Sequence, residues 1–84
     1  METRVALIGI IVEDQNSVER LNRLLHESSR YIVGRMGIPY RERGVSIISV
    51  VVDAPPEEIS ALSGRLGMLP GIHTKTVYSK LGSA

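Results

Sequence analysis

Val5-Ala6-Leu7-Ile8-Gly9-Ile10-Ile11-Val12 recurs forty residues on as Val45-Ser46-Ile47-Ile48-Ser49-Val50-Val51-Val52, and each copy ends on an acid, Glu13 or Asp53. Large apolar residues match large ones and small match small. Both runs are rich in β-branched residues and apolar at successive positions, the signature of strands buried in the middle of a sheet. Tyr31–Ile38 and Ile72–Tyr78 are more mixed, carrying glycine and charge, as edge strands do to discourage further pairing.

Between these strands lie two helical patterns. The first spans Ser17 to Ser28, with Asn16 as the expected N-cap and Glu19 completing a capping box. Val18, Leu21, Leu24, Leu25 and Ser28 share one face, while Glu19, Arg20, Asn22, Arg23 and Glu27 face water. The second opens at Pro55-Pro56-Glu57-Glu58, where proline suits the first turn and acids suit the dipole. Its stripe is Ile59, Leu62 and Leu66, and Gly67 is the expected stop. Pro39–Gly44 reads as a polar hairpin loop, closed by a glycine free to take positive φ.

The chain thus reads as β-α-β twice, and two right-handed βαβ units in one sheet give an α+β, ferredoxin-like βαββαβ fold. The expected antiparallel order is 4-1-3-2, with both helices on one face and the repeated strands central. The 84 residues make one domain, 1–84, of a size that buries only about 60% of its unfolded surface.

One face of the sheet is then left open, although the central strands are apolar on both sides. Val5, Leu7, Ile11, Val45, Ile47 and Val51 fall on one side; Ile8, Ile10, Val12, Ile48, Val50 and Val52 on the other. Four strands of about six residues present roughly 400 Å², against a usual limit of ~300–600 Å² for the largest apolar patch on a lone domain. Burying two such faces contributes on the order of 20 kcal/mol gross, against an association cost of ~4–15 kcal/mol. A homo-oligomer, dimer or tetramer, through the open sheet face is the expectation.

Composition narrows the chemistry. With no cysteine there is no disulfide, no iron–sulfur ligation and no paired-thiol metal loop. Ten basic and nine acidic residues give a net charge of +1, so neither nucleic acid nor anionic membrane is favoured as a partner. RNA recognition on the sheet needs stacking aromatics; there is no Phe or Trp, and Tyr31, Tyr40 and Tyr78 lie outside the central strands. The turn Glu13-Asp14-Gln15-Asn16 would repel a phosphate. No apolar run approaches the ~20 residues of a membrane helix, no signal-peptide pattern opens the chain, and a cytoplasmic location is expected. No nucleophile–base pair is visible, so the expectation is a non-enzyme, with no cofactor and no metal.

Some residues still stand out. Glu13 and Asp14 offer carboxylates to an amine or hard cation, against the plainer role of preceding a helix N-terminus. Gly34 and Gly37 weaken their strand and allow close approach of a ligand or backbone, with Arg35 between them able to clamp an anion; a bulged, charge-guarded edge is the plainer reading. Gly9 and Ser49 are small residues at equivalent points of the repeat, leaving either a notch or room for helix packing. His26 and His73 read as solvated surface residues, and Arg41, Glu42 and Arg43 as a solvated loop tip.

Val5–Asp14, Gly34–Arg41 and Leu66–Ile72 together resemble the iron-only hydrogenase system regulator family, small stand-alone domains of the ACT-like, ferredoxin-like group. Gly34-Arg35-Met36-Gly37-Ile38-Pro39 is the most specific part; Leu69-Pro70-Gly71-Ile72 is common across ACT-like domains. The layout is more distantly similar to the C-terminal sensing domain of nickel-responsive repressors. There Met36, Ile38 and Gly44 stand where nickel ligands would fall, and the DNA-binding segment of those repressors has no counterpart.

The resemblance implies a regulator that senses a small molecule where subunits meet near the first strand–helix turn. The implied ligand residues are Glu13, Asp14 and Asn16 of one subunit beside Gly34, Arg35 and Met36 of the other. The alternative is a protein-interaction module in hydrogenase maturation or assembly, without its own ligand, working through Tyr40, Arg41 and Arg43.

Overall fold

The computed structural model describes residues 2–82; the expected span of 1–84 also takes in Met1, Ser83 and Ala84, which lie outside the described residues. The elements are β1 (Arg4–Val12), α1 (Val18–Glu27), β2 (Ile32–Tyr40), β3 (Val45–Ala54), α2 (Pro56–Gly67) and β4 (Ile72–Gly82). Short 3₁₀ turns at Gln15–Ser17, Ser29–Tyr31 and Arg41–Arg43 link them. The sheet runs β2-β3-β1-β4, the expected 4-1-3-2 read from the other edge, with every neighbouring pair antiparallel. The two copies of the repeat lie side by side in its centre, Ile8 opposite Val50 and Gly9 opposite Ser49.

Because side chains alternate across a strand, these central strands have two apolar faces. Ala6, Ile8, Ile10 and Val12 of β1 and Ile48, Val50, Val52 and Ala54 of β3 are buried against Leu21 and Leu25 of α1 and Ile59, Leu62 and Leu66 of α2. Their neighbours Val5, Leu7, Ile11 and Ile47 are about 40% exposed, on the face no helix covers.

Several local expectations are corrected. The N-terminal cap belongs to Asp14, whose Oδ1 accepts from the Asn16 backbone N–H at 2.9 Å; Asn16 sits inside the 3₁₀ turn, and α1 follows from Ser17 without a side-chain cap. Gly67 ends α2 without a left-handed residue, since Met68 after it is right-handed. Its missing side chain makes room for β4, as a Cβ there would lie 3.3 Å from Thr74 Oγ1. The glycines with positive φ are Gly44, closing the β2–β3 hairpin as expected, and Gly71, before β4. The hairpin is shorter than the sequence suggests, as Pro39 and Tyr40 still pair with Ser46 and Val45.

Candidate functional site

The β1–α1 turn is fastened to the loop before β4. The Glu13 backbone N–H donates to Gly71 O at 2.7 Å, and the fully buried Ser17 hydroxyl donates to Pro70 O at 2.6 Å. Gly71 is packed so closely on the turn that an added Cβ would lie 2.5 Å from Asp14 Cβ. A side chain is thus excluded twice over, by contact and by a φ of +69°. This seam explains Leu69-Pro70-Gly71-Ile72 physically and fixes where Glu13 points.

Glu13 lies at the rim of the open face, where His73 Nε2 donates to its Oε1 at 2.6 Å. The imidazole is therefore a partner of the candidate carboxylate rather than a free surface residue. The sequence carried a signal for this pairing: with β4 antiparallel to β1, Ile11 faces His73 and Glu13 follows one alternation later. Continuing across the same end of the sheet, Ile11, Glu13, Tyr40, Arg43 and Val45 line a recess of about 320 Å³. A carboxylate, a guanidinium and a phenol here meet an apolar wall, so groups assigned to separate ligand and partner surfaces share one concavity.

The other candidate residues are distributed differently. Gly34 and Met36 of β2 face the open side, opposite Val51 and Ser49, and are separated from β1 by β3. Arg35 is opposite the buried Val50, hence on the helix side, and its Nη2 donates to Asn22 Oδ1 of α1 at 3.1 Å. A register shift between Ile32 and Gly34 is responsible, since a bulge exchanges the faces of all that follows. Arg35 lines a groove of about 420 Å³ with Asn22, Leu25, His26, Ser29 and Ile32, apart from Glu13. Asp14 is engaged in its cap, Asn16 is exposed beside it, and Arg41 is exposed at the hairpin tip outside the recess. Within one chain, then, Glu13, Tyr40 and Arg43 meet, whereas Gly34, Arg35 and Met36 do not join them.

A broader depression, about 570 Å³, is lined in part by the open face. Its lining takes in Gly9, Ile11, Ile47, Ser49, His73 and Lys75 of that face, together with Ile10, Ile48, Ile72, Thr74 and Gly67. Elsewhere Arg30 donates to the Tyr31 hydroxyl at 2.7 Å, which raises the guanidinium pKa without changing its charge at ordinary pH. Among the described residues no three His, Cys, Asp or Glu side chains come together to hold a metal ion, and no helix is long and apolar enough to cross a membrane.

A four-stranded ferredoxin-like sheet with both helices on one side and a seam between its two crossover turns defines a small α+β domain. Its likeness to solved structures narrows this. Over 93% of this chain and 99% of the other, it is 37% identical to the uncharacterized protein TM1266 of Thermotoga maritima, with a TM-score of 0.89. The chain belongs to the TM1266-like family, described as "Iron-only hydrogenase system regulator, putative", whose model matches residues 4–76.

Two more distant structures share the fold alone. A formyltetrahydrofolate deformylase of Pseudomonas putida KT2440 is 15% identical, with a TM-score of 0.62, over 87% of this chain and 28% of that one. An unknown protein of Galdieria sulphuraria is 19% identical, with a TM-score of 0.63, over 96% of this chain and 48% of that one. No protein of curated function matches the chain.

Proposed function

We propose that this domain is a regulatory, non-catalytic component of the iron-only hydrogenase system that responds to a small ligand held at a subunit interface. Family membership supplies the regulatory setting. The observation that carries the ligand is the recess of Glu13, Tyr40 and Arg43 against Ile11 and Val45, which lies at the end of the uncovered sheet face. Opposite charges beside an apolar wall suit a small zwitterion, with its ammonium on Glu13 and its carboxylate on Arg43. His73 orients the carboxylate through its 2.6 Å bond, and the Gly71 seam holds the turn beneath it. Binding acts by favouring one arrangement of subunits over another.

The test is a thermal-shift screen of amino acids and other small zwitterions. At least one should raise the melting temperature, and Glu13→Gln and Arg43→Ala should each abolish the rise. A screen without any shift contradicts the reading.

A second reading is protein recruitment through the β2–β3 hairpin in hydrogenase maturation or assembly. The exposed Arg41, Glu42 and Arg43 favour it, as their side chains make no hydrogen bond or ion pair among the described residues. Arg41→Ala separates the two: it removes a recruitment contact but leaves the recess lining intact.

A further inference from the structure

We propose that the open face of the sheet is the docking surface for a second copy of this chain, packed face to face. The register places Val5, Leu7 and Ile11 of β1, Ile47 and Val51 of β3, Met36 and Ile38 of β2 and Val77 of β4 on one continuous surface. Met36, Val77 and Ile38 are 71%, 66% and 62% exposed, and with Leu7, Ile11 and Ile47 they form a contiguous apolar patch rather than scattered single residues.

The layout of charge is that of an interface, with an apolar centre and a polar rim. On β1 and β3 the residues facing this side are apolar or small from Val5 to Ile11 and from Val45 to Val51. Among the described residues, charged side chains on this face stand around the perimeter: Asp53 at one end, Glu13 and Arg43 at the other, His73 and Lys75 along β4. Both signs on one rim let acids of one copy meet bases of the other, which an isologous pair requires.

Area agrees. Strands of 9 to 11 residues, at ~3.3 Å per residue and ~4.8 Å apart, make a face of roughly 550 Å² in projection. Two such faces bury about 1,100 Å² in projection, above the ~1,000 Å² that a specific interface should clear and just below the ~1,200–2,000 Å² of standard ones.

The glycines give an independent argument. Gly9 has no positive φ, and a Cβ there would meet only Lys75 O at an ordinary 3.8 Å; at Gly34 it would meet nothing. Glycine weakens a strand, and the chain's own packing does not ask for it at either place. A surface approaching closely from outside does, and both residues lie on the open face.

This inference deepens the functional proposal, because the recess of Glu13, Tyr40 and Arg43 opens onto the same face and would be closed by the second copy. Light scattering tests docking separately from the ligand. The wild-type chain at micromolar concentration should scatter as a dimer or a higher even multimer. Gly9→Val and Ile47→Glu should each weaken assembly at least about thirtyfold, the effect of losing a central interface residue. Far-ultraviolet circular dichroism should be unchanged in Gly9→Val, since valine favours a strand and its Cβ would meet nothing closer than Lys75 O at 3.8 Å. A wild-type monomer overturns the proposal and leaves the face to a different protein. A Gly9→Val variant that folds and keeps its oligomeric mass also overturns it, by moving the contact to another surface. If Ile47→Glu unfolds, Gly9→Val alone carries the test. Loss of every ligand response with the oligomer intact would sink only the functional reading.

Discussion

The two faces of the sheet are built from the same two strands and differ in what covers them. Ile8 and Ile10 are 0% and 1% exposed under the helices, while Leu7 and Ile11, one residue away on the same strand, are 41% and 44% exposed. A strand that had only to fold this domain would alternate apolar with polar. Here it does not, so half of the apolarity answers a demand that the single chain does not make. If a second copy docks as proposed, the covered face accounts for stability and the open one for assembly, and substitutions should separate them.

The largest expected effect is on the covered face. Ile8→Ala removes a fully buried side chain and should cost about 2–5 kcal/mol in denaturant unfolding. Leu7→Ala should cost less than about 1 kcal/mol in the dissociated monomer and act mainly on assembly. Equal costs under dissociating conditions would break the distinction between the faces.

Next comes the seam at the end of both faces. Gly71→Ala forces a side chain into a left-handed position and onto Asp14, and should destabilise by about 2 kcal/mol or more. Ser17→Ala removes the buried hydroxyl that donates to Pro70 O, whose residue is itself exposed to water, and should cost about 0.5–1.5 kcal/mol. Both are checked by chemical denaturation. A neutral Gly71→Ala would mean that the turn is not held as described.

The smallest effect belongs to the open rim. The Glu13–His73 pair is 56% and 64% exposed, so His73→Ala should change stability by about 0–1 kcal/mol. Its expected consequence is weaker ligand-induced stabilisation in the thermal-shift assay, through a carboxylate no longer oriented. An unchanged response would remove His73 from the site.

These contrasts follow what the sequence could and could not express. The repeat made the strand order legible, because two runs apolar on both sides must take the middle of a four-stranded sheet. The same apolarity made the uncovered face legible. What escaped depends on contacts far apart in the chain. Gly67 carries the usual local sign of a helix stop, but the glycine that geometry demands is Gly71, because of Asp14. Asn16 and Asp14 are both good caps by type, and only the path of the turn decides between them. Arg35 was grouped with Gly34 and Met36, but adjacent strand residues point to opposite faces. The bulge at Val33 then sends the arginine toward Asn22. The recess of Glu13, Tyr40 and Arg43 joins β1 to a hairpin tip some thirty residues later, a meeting that strand register creates and no local motif announces.

The most direct measurement is the melting temperature of the wild-type chain across a wide range of protein concentration. If a second copy covers the open face, unfolding is coupled to dissociation, and the melting temperature must rise as the protein is concentrated. A melting temperature that stays fixed over the whole range would mean that the face remains bare, and would contradict the account.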